Sequence, residues 1–126
     1  MERYLGIDYG TKRIGLALGD SLTKLATPFK VVSTLADIVA VIKEEDIEHL
    51  VVGLPLTMRK EKGEMHEKVQ EFISDLSDLT GLPIEQVDER LSSKAGDALV
   101  GGKKDKAPRD AIAAMLILQS FFDKHA

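Results

Sequence analysis

Acidic residues occur at three points where an apolar run of the sequence begins or ends. Asp8 closes the first apolar run, Asp88 and Glu89 follow the last short strand-like run, and Asp110 opens the final helix-like run. In α/β sheets, ligands gather beyond the carboxyl ends of the strands, so these acids can meet at one edge. Carboxylates gathered without histidine or cysteine suit a hard cation such as Mg²⁺ or Mn²⁺, which can activate water for phosphoryl displacement.

Each of these acids also has a purely structural interpretation. Asp8 can accept hydrogen bonds in the turn that follows it, and Asp88 or Glu89 can pair with Arg90 at the surface. Asp110 suits the positive end of a helix dipole. Because successive strand residues point to opposite faces, at most one of Asp88 and Glu89 faces Asp8. The catalytic and metal-binding hypothesis gains its weight from the three positions together.

Basic residues cluster in loops near the predicted acids. The turn at Gly10 and Thr11 offers backbone N–H groups that can contact a phosphate. If the acids converge, three basic groups surround the same rim, and such a patch can bind nucleic acid despite an acidic total charge. Lysines in exposed loops are also common as ordinary solvated residues. The basic candidates are Lys12, Arg13, Arg59, Lys60, Lys103, Lys104, Lys106 and Arg109.

Hydrophobic periodicity predicts the elements that must position these side chains. Alternation and short apolar runs indicate strands, and apolar residues three and four apart indicate helices. Thr34 is a predicted helix cap, Gly81 and Pro83 stop a helix, and Pro108 suits a first helical turn. Strands are predicted at 4–8, 14–19, 29–33, 49–54 and 83–87, and helices at 35–42, 65–79, 92–100 and 109–123.

This order predicts an α/β fold with a mixed sheet. The first three strands form an antiparallel meander, and the later strands join in parallel through crossover helices. Helices should then cover both faces.

Composition limits the classes of protein that remain. The chain has 126 residues, a formal charge of −4 and no cysteine, which predicts one domain spanning 1–126 and excludes disulfides and thiolate metal sites. No apolar run is long enough to span a membrane and no signal peptide is evident, so we expect a cytoplasmic protein without a membrane partner. The mild acidity argues weakly against a nucleic-acid partner. Few aromatic residues favour recognition of backbone and shape.

Four segments in this order resemble a known family. They are GIDYGTKRIGLALGD (6–20), VVGLPLTM (51–58), DERLSS (88–93) and RDAIAAMLIL (109–118). Together they closely resemble the YqgF/RuvX family, described as Holliday junction resolvases and as pre-16S rRNA nucleases. The first segment alone is also similar to sugar kinases and actin-like ATPases, whereas the four together are specific.

The resemblance implies an RNase H-like fold with a five-stranded mixed sheet, related to the RuvC resolvases. It implies hydrolysis of phosphodiester bonds in structured nucleic acid with Mg²⁺ or Mn²⁺ as cofactor. Asp8, Glu89 and Asp110 match the family's catalytic acids, and Arg13 and Arg90 match basic positions with phosphate-binding or supporting roles. The expected substrate is precursor 16S rRNA, branched DNA or both.

Two other functions are kept as alternatives. A non-catalytic RNA-binding or ribosome-processing factor on the same fold would bind without metal. An actin-like or kinase-like ATP-binding module would need a second domain, for which the length leaves no room. The loop at Thr57–Lys60 and the short segment with Gly101 and Gly102 depart from the family pattern and leave the substrate geometry open. A monomer or weak homodimer is expected.

Overall fold

A computed structural model describes residues 1–10, 12–54, 64–88 and 108–125, with the backbone alone for 64–66 and 88. Within these ranges, five strands form one sheet in the order β3-β2-β1-β4-β5. The strands are β1 (Arg3–Asp8), β2 (Ile14–Asp20), β3 (Ala26–Val32), β4 (His49–Leu54) and β5 (Ile84–Asp88).

The pairing of the strands confirms the predicted mixed sheet. β1 pairs antiparallel with β2, and β2 pairs antiparallel with β3. β4 lies parallel to both β1 and β5. Parallel neighbours need a crossover, and the helices between the later strands supply it. The first three strands need only short connections, of which residues 9–13 form the first.

Three helices lie in the described ranges: α1 (Leu35–Glu44), α2 (Glu64–Thr80) and α3 (Arg109–Lys124). The Oγ1 of Thr34 accepts a hydrogen bond from the backbone N–H of Asp37 at 3.1 Å, which confirms the predicted cap. After α2, Gly81 adopts a φ of +68°, a left-handed conformation that glycine enters without a Cβ penalty.

The predicted boundaries lie within two residues of the observed ones, apart from the start of β3. β3 begins at Ala26 and contains Pro28. Proline is tolerated there because β3 is an edge strand, which needs no ladder hydrogen bond on its open side. β5 runs one residue further than predicted and includes Asp88. The helix predicted over 92–100 lies outside the described residues.

Separate hydrophobic cores lie on the two faces of the sheet. One packs the large strand residues Leu5, Leu16 and Leu50 against α1 and α2. The other packs Ala17, Val51 and Val87 against α3. Helices therefore cover both faces, as expected. No helix in the ranges given above is long and apolar enough to cross a membrane.

Candidate active site

Asp8 is the last residue of β1, at the carboxyl end of the central strand. It pairs with Gly15 of β2 on one side and Gly53 of β4 on the other. Residues alternate between faces along a strand, so Asp8 shares the face of Gly6. A Cβ on Gly6 would meet Ala114 and Leu118 of α3. Asp8 therefore lies on the face that α3 covers.

Gly15 brings the start of α3 down onto this face. A Cβ built on Gly15 would overlap the backbone carbonyl of Asp110. Only a residue without a side chain permits that approach. Because Gly15 lies directly across the strand pair from Asp8, the first turn of α3 is placed beside the end of β1. The structure thus brings together two of the three predicted acids, Asp8 and Asp110.

Arg13 forms an ion pair with Asp110 at this edge. Its Nε lies 3.1 Å from Oδ2 of Asp110, and the two side chains are 74% and 30% exposed. The pair borders a shallow depression of about 570 Å³ that Gly10 and Lys12 also line. Gly10 makes the underlying turn possible, because a Cβ there would overlap the carbonyl oxygen of Arg13. One open surface therefore carries cationic donors, on Lys12 and Arg13, and a carboxylate acceptor, on Asp110.

The other predicted residues divide into two groups. Arg109 is exposed at the first position of α3, next to Asp110. Outside the described residues lie Thr11, Arg59, Lys60, Glu89, Arg90, Lys103, Lys104 and Lys106.

The described acids have the chemistry of a hard-cation site. In the part of the chain that the structure describes, no three His, Asp or Glu side chains form a metal-binding group. Glu89, the third predicted ligand, lies beyond that part. The Asp110 carboxylate already attracts a cationic group, the Arg13 guanidinium. Carboxylate oxygens are also the donors that Mg²⁺ and Mn²⁺ prefer, so the residues present fit such an ion.

Sequence reasoning missed the role of Gly15. A glycine in a strand allows another element to approach closely, but the sequence does not identify which element approaches. The register that pairs Gly15 with Asp8 was the available signal, since a hairpin with a turn at 9–13 places these two residues opposite each other. The sequence pattern does not give the position of α3, which is far from Gly15 along the chain.

Comparison with known proteins places the chain in a family. The model of the family described as "RuvX: Holliday junction resolvase" matches residues 2–124. A protein of Chloroflexus aurantiacus named "Putative pre-16S rRNA nuclease" is 38% identical over 94% of this chain and 85% of its own length. A protein of the same name from Endomicrobium trichonymphae is 36% identical over 98% of this chain and 96% of its own.

Solved structures share the fold at low sequence identity. RuvC of Thermus thermophilus, in complex with a Holliday junction substrate, has a TM-score of 0.65 at 17% identity, covering 99% of this chain and 96% of that chain. The yeast mitochondrial Holliday junction resolvase Ydc2 has a TM-score of 0.58 at 12% identity, covering 96% and 78%. The fold is RNase H-like, as the resemblance implied.

Proposed function

The chain belongs to the RuvX family, and on that premise we propose that it is a metal-dependent endonuclease acting on structured nucleic acid. The relatives are named as pre-16S rRNA nucleases, and the family description names Holliday junction resolution. The activity we propose is 5′-end processing of precursor 16S rRNA, Holliday junction resolution or both, in the cytoplasm. One observation carries the proposal: the backbone of Asp110 rests on Gly15, directly across the strand pair from Asp8.

Asp8, Asp110 and Glu89 are the proposed metal ligands. Val87 is buried under α3, on the face that Asp8 shares. The two-residue period of a strand therefore favours residue 89 over residue 88 as the third acid. A bound Mg²⁺ or Mn²⁺ would lower the pKa of a water molecule and offset charge on the reacting phosphate.

The basic residues around the acids would hold the substrate. Arg13 uses its Nε to bind Asp110, and its largely exposed guanidinium keeps further N–H donors for a phosphate. Lys12 borders the same depression. Arg59, Lys60, Arg90, Lys103, Lys104, Lys106 and Arg109 are proposed to extend this patch, with Gly10 and Thr11 contributing backbone N–H groups. Contacts of this kind predict affinity that falls as salt rises.

Cleavage assays with Mn²⁺ on a four-way DNA junction and on precursor 16S rRNA test the proposal. Asp8→Asn should reduce the cleavage rate on the order of a thousandfold, because metal catalysis supplies several kcal/mol of stabilisation. Asp37→Asn, at an exposed position in the first turn of α1, is the matched control and should cleave as wild type does.

Two outcomes contradict the nuclease proposal. Undiminished cleavage by Asp8→Asn would remove Asp8 from catalysis. Binding that persists in EDTA, is unchanged by Asp8→Asn and is accompanied by no cleavage would instead indicate the non-catalytic processing factor.

A further inference from the structure

A second depression lies on the opposite face of the sheet and meets the first at Gly10. It has a volume of about 240 Å³, and Tyr9 and Gly10 form the wall nearest the acids. Its other sides come from Ile14, from Ser33 and Leu35 at the start of α1, and from α2. Because Gly10 lines both depressions, a substrate strand that crosses Gly10 can reach both.

The floor of this pocket is apolar and aromatic. Phe72 and Ile14 are buried, with exposed fractions of 7% and 4%. The Tyr9 ring packs against the Phe72 ring with centroids 4.5 Å apart. An aromatic floor of this kind suits the flat face of a nucleobase, because every base can stack on an aromatic side chain.

The rim carries charges that have no partner within the described chain. Lys68, Glu71 and Asp75 recur at helical spacing on α2 and all line the pocket. Among the described residues, none of the three takes part in an ion pair or side-chain hydrogen bond. All three side chains are exposed and solvated in the free protein, so a ligand that carries both hydrogen-bond donors and negative charge can replace their water without breaking an ion pair.

We propose that this pocket, called here the α2 pocket, binds one unpaired guanine nucleotide of the substrate, next to the scissile phosphate. The proposal deepens the proposed nuclease function and rests on it. Guanine presents N1–H and N2–H donors side by side, which match the two oxygens of one carboxylate, as a guanidinium does. Glu71 or Asp75 would accept them, and Lys68 would contact the phosphate. Uracil offers a single N–H on the corresponding edge and fits poorly.

The chemistry also selects the form of the substrate. A base inside a duplex uses its Watson–Crick edge for pairing, so only an unpaired or extruded nucleotide can present that edge to Glu71. The inferred substrate has an unpaired guanine beside the cleavage position, whether the strand is RNA or DNA.

Titration of the full chain with mononucleotides, followed by two-dimensional ¹H–¹⁵N NMR in metal-free buffer, tests this site. GMP should shift the amide signals of Tyr9, Gly10, Ser33 and 68–75, and should bind about tenfold more tightly than UMP, within the discrimination that one bidentate base contact provides. IMP lacks only the exocyclic amino group and should fall between them.

Variants on α2 separate the roles of the rim residues. Glu71→Gln and Asp75→Asn should together remove most of the preference for GMP over IMP. Lys68→Ala should weaken binding of GMP but not of guanosine, which has no phosphate. Glu67→Gln, an exposed position of α2 outside the pocket lining, is the matched control and should leave every affinity unchanged.

Equal affinity for GMP and UMP would overturn the proposal. So would shifts confined to Lys12, Arg13 and Asp110, or an effect of Glu67→Gln equal to that of Glu71→Gln. The titration uses neither metal nor cleavage, so its failure is distinguishable from failure of the nuclease assignment, which depends on Asp8→Asn.

Discussion

The two faces of the sheet are built from residues of different size. Toward α3, strands β1 and β2 present the small residues Gly6, Gly15 and Ala17. The small residues Ala111 and Ala114 of α3 lie against them. Toward α1 and α2, the same two strands, β1 and β2, present Leu5, Ile7, Ile14 and Leu16.

The two faces therefore differ in how precisely they position a helix and in how much apolar surface they bury. Where glycine meets a helix backbone, carbonyl and Cα atoms touch directly, and the separation leaves no room for adjustment. Where large aliphatic side chains interdigitate, burial contributes most of the free energy of folding and rotamers can absorb small shifts. Asp8 and Asp110 lie on the small-residue face, so their relative position depends on backbone contact.

The largest expected effect is on stability at the large-residue face. Leu76 on α2 is fully buried, so Leu76→Ala should lower the free energy of unfolding by about 2–5 kcal/mol, from lost burial and the cavity left behind. Urea denaturation measures this loss, and the cleavage rate per folded molecule should not change. Leu79→Ala, at a position 60% exposed, is the control and should cost under about 0.5 kcal/mol. A loss of cleavage without a loss of stability in Leu76→Ala would contradict the division between the faces.

The next effect is on catalysis at the small-residue face. Gly15→Ala would place a methyl group on the Asp110 carbonyl, so the first turn of α3 must move away from Asp8. A displacement of about 1 Å can cost on the order of a hundredfold in rate. The measurements are the cleavage rate with Mn²⁺ and, independently of activity, the affinity for Mn²⁺.

Gly6→Ala is the matched control for this prediction. Its methyl group would meet Ala114 and Leu118 at 2.8 Å, further along α3. It should destabilise the fold by about 1–3 kcal/mol through overpacking, with a smaller effect on cleavage by the folded fraction. If Gly6→Ala lowered cleavage as much as Gly15→Ala does, Gly15 would have no special part in positioning Asp110.

A smaller effect is expected at the start of α1, on the large-residue face. Thr34→Ala removes the side-chain acceptor for the Asp37 N–H and should cost about 1 kcal/mol. Thr34→Ser keeps the hydroxyl and should restore the melting temperature. The cleavage rate at saturating substrate should be unaffected by either change, because the start of α1 borders only the α2 pocket. A change in that rate would indicate that α1 helps to position the acids.

The smallest effect is a pH dependence far from the acids, at the β2–β3 turn. The backbone N–H of Thr23 donates to Oδ1 of Asp20 at 2.8 Å and lowers the pKa of that carboxyl below its ordinary value of 3.8. A carboxyl with a depressed folded-state pKa stabilises the fold above its unfolded pKa, and that contribution is lost as pH falls through the folded value. The melting temperatures of wild type and Asp20→Asn should therefore converge as pH falls below about 4. A constant difference across that range would show that the Asp20 charge does not contribute to stability.

Much of the fold was predictable from the sequence, because patterns over a few neighbouring residues indicate each helix and strand. Alternation predicted β2, short apolar runs predicted β1 and β4, and Thr34 predicted the start of α1. The edge strand β3 was harder, because Pro28 and exposed polar positions blur the two-residue period. Connection rules predicted that the later strands join in parallel, but they did not specify that β4 pairs with β1.

The candidate site was readable only in part. Asp8 and Asp110 were identifiable as acids at element ends, and the structure brings them to one edge. The Arg13–Asp110 ion pair and the α2 pocket were not predictable, because each joins segments far apart in sequence. Lys68, Glu71 and Asp75 look like an ordinary solvated helix face until Tyr9 and Ser33 are placed beside them.

By itself the sequence determined the types of residue available for chemistry, the order of the elements and the family to which they belong. These depend on local periodicity, on turn and cap residues and on short motifs, all of which act over a few positions. Tertiary structure alone decided which backbone atoms touch. The contact of Gly15 with Asp110, which places one acid beside another, arises because packing of α3 across β1 and β2 leaves space for a hydrogen atom and for nothing larger.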